Sequence, residues 1–287
     1  MTRGLPHLLV VAALVPLLAA IWPSDRWPLL ALLAYVPPAL SLAAAAAALA
    51  FFARRHPHPA WLASAFLALS ISVTALAVDN RRLLVPEPVG AGVRVIHWNI
   101  GRSSSVGGDL RDLHADILCL SECTVPYAAQ LGVGWNEVSL GSLHVLSPLP
   151  IARRREWETE GIKGLHVSVG TTWILLVDVV AWPTFHRLAA MRELSRWIDE
   201  AAPDLVVGDF NTPAGAFSLR GALSSGFRDA YSLAGRGLAY SWPSVLPCMK
   251  IDHFFVRHGL TPVDFVTGFS IRSDHRWQEC RLRSPAR

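Results

Sequence analysis

The placement of charge constrains this chain more than any single motif does. Of 26 basic and 22 acidic residues, only Arg3, Asp25, Arg26, Arg54 and Arg55 precede Asp79. The rest fall in residues 79–287, at roughly one position in five, an ordinary density for a globular domain. A chain so divided is not wholly soluble, not disordered and not a small disulfide-stapled scaffold.

Three apolar runs, 5–22, 27–52 and 60–78, fill the charge-poor part. At about 1.5 Å of rise per residue, each can cross a hydrocarbon core of roughly 30 Å. The sequence therefore predicts a membrane anchor over 1–78 with three transmembrane helices. Pro37 and Pro38 predict a bend in the second. Trp22, Trp27 and Trp61 lie at run ends, where an amphipathic ring suits the headgroup layer. Arg3 ahead of an apolar stretch also fits a cleavable signal peptide, but two further spanning-length runs come after it.

Arg3 and the pair Arg54-Arg55 flank the runs on one side, whereas the loop 23–26 has no net charge. The positive-inside rule then puts the N-terminus and the 53–59 loop in the cytoplasm. The chain beyond residue 78 is accordingly expected to be extracytoplasmic, although Arg81 and Arg82 pull the other way. Residues 79–92, DNRRLLVPEPVGAG, read as a linker.

From residue 93 on, short β-branched runs alternate with helical stretches. Residues 93–97, 117–120, 143–146, 165–169, 173–180, 205–207, 251–256 and 277–282 read as strands. Leu188, Met191, Leu194, Trp197 and Ile198 keep a helical period over 188–201, and 218–225 reads as a shorter helix. The expected class is α/β, a two-layered β-sandwich flanked by helices and preceded by the three spans. From Asp79 onward, 22 basic residues face 21 acidic ones, a net of +1. That balance argues against a surface that grips nucleic acid by counterion release.

Polar clusters stand at the ends of the apolar runs: Asn99 in HWNI, Glu122 in LCLSE, Asp209 and Asn211 in VVGDFN, Asp252 and His253 in KIDHFFV, and Asp274 and His275 in SDHRW. One such cluster is ordinary turn chemistry. Five at strand ends of one domain point to a site assembled at one edge of a sandwich. Asn, Glu and Asp are hard oxygen ligands suited to Mg²⁺ or Mn²⁺. Cysteine and histidine spacings do not suit zinc. A carboxylate beside a His stabilises the imidazolium, and with a metal it describes attack of water on a phosphate ester.

In that order, these motifs resemble the endonuclease/exonuclease/phosphatase (deoxyribonuclease I-like) superfamily, over about two thirds of the chain. The resemblance implies that Glu122 and Asn99 hold the metal, with Asp274 nearby. Asp209 would position or deprotonate the attacking water, Asn211 would hold a phosphate oxygen, and His275, oriented by Asp252, would contact the phosphate or exchange a proton. Three spans before such a domain resemble the bacterial VanJ-like type, which implies an undecaprenyl-pyrophosphate-linked substrate. The family His expected before the central helix is displaced. Aligning Pro183 with the family proline leaves Trp182 in its place, with His186 four residues later and Asp178 inside the strand. Trp182 and His186 are candidate substrate contacts.

Of the remaining residues, Arg187, Arg192 and Arg196 fit a solvated helix face, and Trp242 and Lys250 approach the cleft. His97, His114, His144, His166 and His258 read as structural. Cys119, Cys123, Cys248 and Cys280 allow three pairings, and an extracytoplasmic location permits a disulfide. The expected activity is hydrolysis of a phosphodiester or pyrophosphate in a lipid-linked or headgroup substrate at the membrane. A nuclease, or a binding module with weakened chemistry, are the alternatives.

Overall fold

The computed structural model describes residues 8–12, 14–15, 35–55, 59–86, 92–182, 187–223 and 226–283. Two long helices come first, α1 (Pro38–Arg55) and α2 (Pro59–Asp79). They pack antiparallel: Ala48 and Phe52 meet Ala65, Ala45 meets Ala68, and Phe52 stacks on Trp61 at 5.7 Å between ring centroids. Alanines at these spacings let the two backbones approach closely. By length and composition each helix can cross a membrane.

Two candidate spans are thus present among the described residues, and a third is not shown. Of the first apolar run, residues 8–12 and 14–15 are helical, while 16–34 lie outside the described residues. The double proline begins the described part of the second run, and the expected bend falls against residues 27–34, which lie outside the described residues. Pro38 opens α1, a position where the missing N–H costs nothing because no intrahelical acceptor faces it.

Two six-stranded sheets come next. The first has the order β11 (Thr261–Gly268), β12 (Trp277–Arg283), β1 (Val93–Asn99), β2 (Ile117–Ser121), β4 (Leu143–Ser147), β3 (Asn136–Leu140). The second runs β5 (Ile151–Thr159), β6 (Ile162–Val169), β7 (Thr172–Val179), β8 (Leu205–Asp209), β10 (Asp252–Arg257), β9 (Phe227–Asp229). They stack face to face, so side chains alternate between the shared interior and an outer layer.

Val95, Ile117, Cys119 and Val145 of the first sheet meet Leu165, Ile174, Leu176, Val207 and Phe254 of the second in the shared core. Their sequence neighbours Ile96, Trp98, Leu118 and Leu120 point the other way, with Val106 and Leu110 of the α3 region (α3, Gly107–Asp112). Beneath the second sheet, Leu175, Val177 and Val206 pack on Met191, Leu194 and Trp197 of α5 (Arg187–Ala201) and on Leu219 of α6 (Phe217–Ala222). Apolar residues on both faces explain why the inner strands read as continuous apolar runs. Helices α4 (Ala128–Leu131) and α7 (Ala230–Ala234) complete the chain.

All four cysteines are free thiols, with Cys119 and Cys280 in the inter-sheet core. Residues at and just beyond the end of α2 are fastened to the sandwich. Tyr240 Oη donates to Asp79 (3.0 Å), the Ala239 amide to Asn80 (3.0 Å), and Arg82 Nε to the Gly235 carbonyl (2.8 Å).

Candidate active site

The alternation that fills the core also selects the residues at its open end. Continuing each inward row past the last apolar residue leads to Asn99 on β1, Asp178 on β7, Asp209 on β8 and Asp252 on β10. Strand pairing sets Asp178 beside Asp209, and Asp209 beside Asp252. Gly208 of the GDFN run has φ +149°, and a Cβ there would collide with the Val177 carbonyl. Only glycine lets β8 lie close enough to β7 to hold that register.

The loop before β12 brings in His275. Ser273 Oγ donates to the Asn99 carbonyl (2.6 Å) and accepts from the His275 amide (3.0 Å), so this turn is locked onto β1. His275 Nδ1 lies 2.9 Å from Asp252 Oδ2, and its Nε2 lies 3.8 Å from Asp209 Oδ2. Burial works against charge on this imidazole. The negative charge of Asp252 and its hydrogen bond outweigh burial and lift the pKa to about 10. Asp252 is held below the usual carboxylate range, because His275 more than offsets its burial. Asp209 is pushed the other way, first by burial and then by the charge of Asp252. A cation and a carboxylate with raised basicity therefore face each other at near ion-pair distance, at the open edge of the sandwich.

Asp209 is positioned by two donors, Asn99 Nδ2 (2.9 Å) on Oδ2 and the Asn211 amide (2.8 Å) on Oδ1. Asn211 takes a left-handed φ of +44°, and its Nδ2 donates to the Val179 carbonyl (2.8 Å). Asn99 Nδ2 also reaches Glu122 Oε1 (3.2 Å). Glu122 is partly open to solvent, with Arg102 3.6 Å from its other oxygen. Asp274 is exposed and accepts from Trp242 Nε1 (3.2 Å). Asn99, Glu122, Asp209, Asn211, Asp252, Asp274 and His275 thus gather at one edge of the sandwich.

The second half of the IDH motif goes elsewhere. His253 points outward from β10, onto the Thr212 carbonyl (2.9 Å) and between the rings of Phe210 and Phe255. Burial lowers its pKa to about 4. His97 faces inward, 3.6 Å from Asp252 Oδ1, and burial again holds it neutral with a pKa of about 4. Of the three imidazoles near Asp252, only His275 is charged at neutral pH.

Asp178, conspicuous in the sequence only as a charge inside a strand, belongs to the site. Burial and the charge of Glu122 raise its pKa to about 7. Its signal was legible, since it continues the inward parity of Ile174 and Leu176. Asp178, Glu122 and Asp209 offer only carboxylate oxygens, and the first and last bind protons more tightly than usual. Converging acids of this kind, with the Asn99 amide, fit a hard divalent cation. Asp209, Asp252 and His275 also each place a ligand atom within 4.8 Å of the others.

Trp182 is 69% exposed, just past β7. His186 lies outside the described residues. Arg187 corrects the expectation of a solvated helix face, because it is fully buried. Its guanidinium is used up on the Val180 and Trp182 carbonyls and on Tyr35 Oη (2.9 Å). Tyr35 in turn donates to the Asn211 carbonyl (2.7 Å), so a residue just ahead of α1 touches the site. Lys250 is also spent, on Asp229 (2.6 Å).

Two stacked sheets with acidic and amide groups and one carboxylate-paired imidazole at their open edge define a phosphoester-hydrolysing class of enzyme. The chain belongs to the endonuclease/exonuclease/phosphatase family, which it matches over residues 96–275. Solved structures share the fold. A mannosyl-6-phosphatase of Bacteroides thetaiotaomicron has TM-score 0.55 at 12% identity, covering 67% of this chain and 99% of that one. TDP2 of D. rerio with a single-strand DNA product has TM-score 0.52 at 16% identity, covering 68% and 100%. No curated protein matches the sequence.

Proposed function

We propose that this protein is a membrane-anchored, divalent-metal-dependent phosphoesterase that cleaves a phosphodiester or pyrophosphate in a lipid-linked or headgroup substrate at the extracytoplasmic face, a member of the VanJ-like type. The contact of Tyr35 with Asn211 carries the reading. It joins the apolar N-terminal part to a loop of the site, which supports a site held at the bilayer surface. Exposed apolar side chains on the surrounding loops, Val245, Leu246, Phe269 and Ile271 together with Trp182, suit an interfacial position. Arg54 and Arg55 end α1 at the side away from the sandwich, which supports the extracytoplasmic orientation under the positive-inside rule.

In the proposed chemistry, Glu122, Asn99 and Asp274 would hold Mg²⁺ or Mn²⁺, with Asp178 as a further carboxylate of the site. When bound, the cation supplies Lewis-acid stabilisation to the phosphate. Asp209 takes the proton of the attacking water, for which its raised pKa suits it. Water adds opposite the leaving oxygen, the bond from phosphorus to that oxygen breaks, and the departing oxygen takes up a proton from solvent, while Asp209 returns its own to solvent. His275 presents a charged Nε2 to the phosphate, and Asp252 keeps it charged. Asn211 orients a phosphate oxygen.

The test is a panel of lipid phosphates, pyrophosphates and DNA, offered to the full chain with Mg²⁺ and with EDTA. Hydrolysis of a lipid phosphate that EDTA abolishes is expected, with Asp209→Ala and His275→Ala each losing at least about a thousandfold. Faster cleavage of DNA than of any lipid phosphate would install the nuclease reading instead. Undiminished turnover in both variants would remove the catalytic assignment.

A further inference from the structure

A cavity of about 560 Å³ lies between the helical hairpin and the sandwich. One wall is a single face of α2, Ser70, Ile71, Thr74 and Ala75, and another is Tyr35 to Pro38 at the start of α1. Its third wall is made from the two loops that frame the catalytic strands. Pro213 to Ala216 continue from Asn211 out of β8, and Cys248 to Lys250 lead into Asp252 on β10. Cavity and site therefore share their loops, and Tyr35 belongs to both.

The lining is predominantly apolar, and two of its charged groups are already paired. Asp79 accepts from Tyr240 and Lys250 is bound to Asp229, which leaves Arg220 at the exposed margin. Ser70 stands nine residues before the end of α2, roughly 13 Å along the axis. That is close to the roughly 15 Å depth of one hydrocarbon leaflet. The cavity thus runs from leaflet depth up to the loops at the reacting groups. Its volume lies in the range of about 300–1,000 Å³ usual for a small-molecule site.

We propose that this cavity receives the hydrocarbon chain of the lipid phosphate, an acyl or isoprenoid tail, and so sets the enzyme's preference for lipid over soluble esters; this rests on the lipid-phosphoesterase function proposed for the site. The tail stays in an apolar environment from bilayer to protein while its phosphate reaches Asn211 and His275.

The experiment uses the full chain in phospholipid nanodiscs and two phosphate esters with one headgroup, one bearing a long isoprenyl chain and one a short soluble chain. The Ala75→Trp variant fills the cavity. The ratio of kcat/KM for the long over the short ester is expected to fall at least tenfold. Val73→Trp, on the exposed face of the same helix, is expected to keep the wild-type ratio. In the wild type, a long-chain phosphate with a photoreactive group in its first isoprene unit should label Thr74 or Met249. An unchanged ratio in Ala75→Trp, or labelling only at lipid-facing positions such as Val73, overturns the assignment. Absence of any preference for the long ester in the wild type overturns the lipid reading itself, and the cavity proposal with it.

Discussion

Replacing Asp252 by Asn tests the electrostatics of the site with little steric change. The amide is isosteric. Its oxygen can still accept from His275 Nδ1, and its NH₂ can face His97 Nδ1, which lies 3.6 Å from Asp252 Oδ1 and has no other partner among the described residues. What disappears is the negative charge. In the wild type that charge and its hydrogen bond overcome burial and hold His275 at about 10 against an ordinary 6.5. A shift of that size favours the charged form by on the order of 4–5 kcal/mol.

Because the folded-state pKa is raised, this stabilisation is fully present below the ordinary pKa and is lost as pH rises through about 10. Without Asp252, burial is opposed only by the charges of Asp209 and Asp274, so His275 should titrate no higher than its ordinary value. At about pH 8.5 no more than about one molecule in a hundred would then carry the charge. Turnover should fall at least roughly a hundredfold there, and the loss should shrink as pH falls and the imidazole regains its proton. The assays are a pH–rate profile of the phosphoesterase reaction and an NMR titration of labelled histidines. An Asp252→Asn enzyme with the wild-type profile, or a His275 resonance still titrating near 10, would refute the coupling.

The packing supplies two more expected outcomes. Gly208→Ala should give protein that fails to fold or elutes as aggregate in size-exclusion chromatography, because the new Cβ collides with the Val177 carbonyl; a folded, active variant would show that β7 and β8 can separate. Trp197 stacks on Trp157 at 5.5 Å and packs over Gly164. Trp197→Ala should lower unfolding free energy by about 3–5 kcal/mol in a denaturant titration, and a loss under about 1 kcal/mol would contradict the packing.

The strands that sequence patterning finds and those it overlooks differ in one physical respect. All eight expected strands are interior members of the sheets. The four additional ones, β3, β5, β9 and β11, are the four edges. Edge strands bury less and resist unwanted pairing with charge or proline. ARRRE in β5 and Pro262 in β11 are such devices, and they erase the apolar run that marks a strand. Short helices such as α3 and α4 lack the repeats needed for a period to show.

The candidate site divides in a similar way. Strand ends bearing Asn, Asp and His are legible because a polar residue closing an apolar run is conspicuous, and alternation even tells Asp252 from His253. The charge asymmetry at Asp79, the alternating strands and the polar strand ends were all properties of local sequence. Burial of Arg187, the entry of Asp178 into the site, the charge on His275 and the cavity beside Tyr35 belong to the tertiary structure alone. They depend on partners such as Asp252 and His275, Asn99 and Asp209, or Tyr35 and Asn211, which stand 23, 110 and 176 positions apart. Strand pairing and packing bring such residues together, and a pKa or a cavity exists only once those neighbours have arrived.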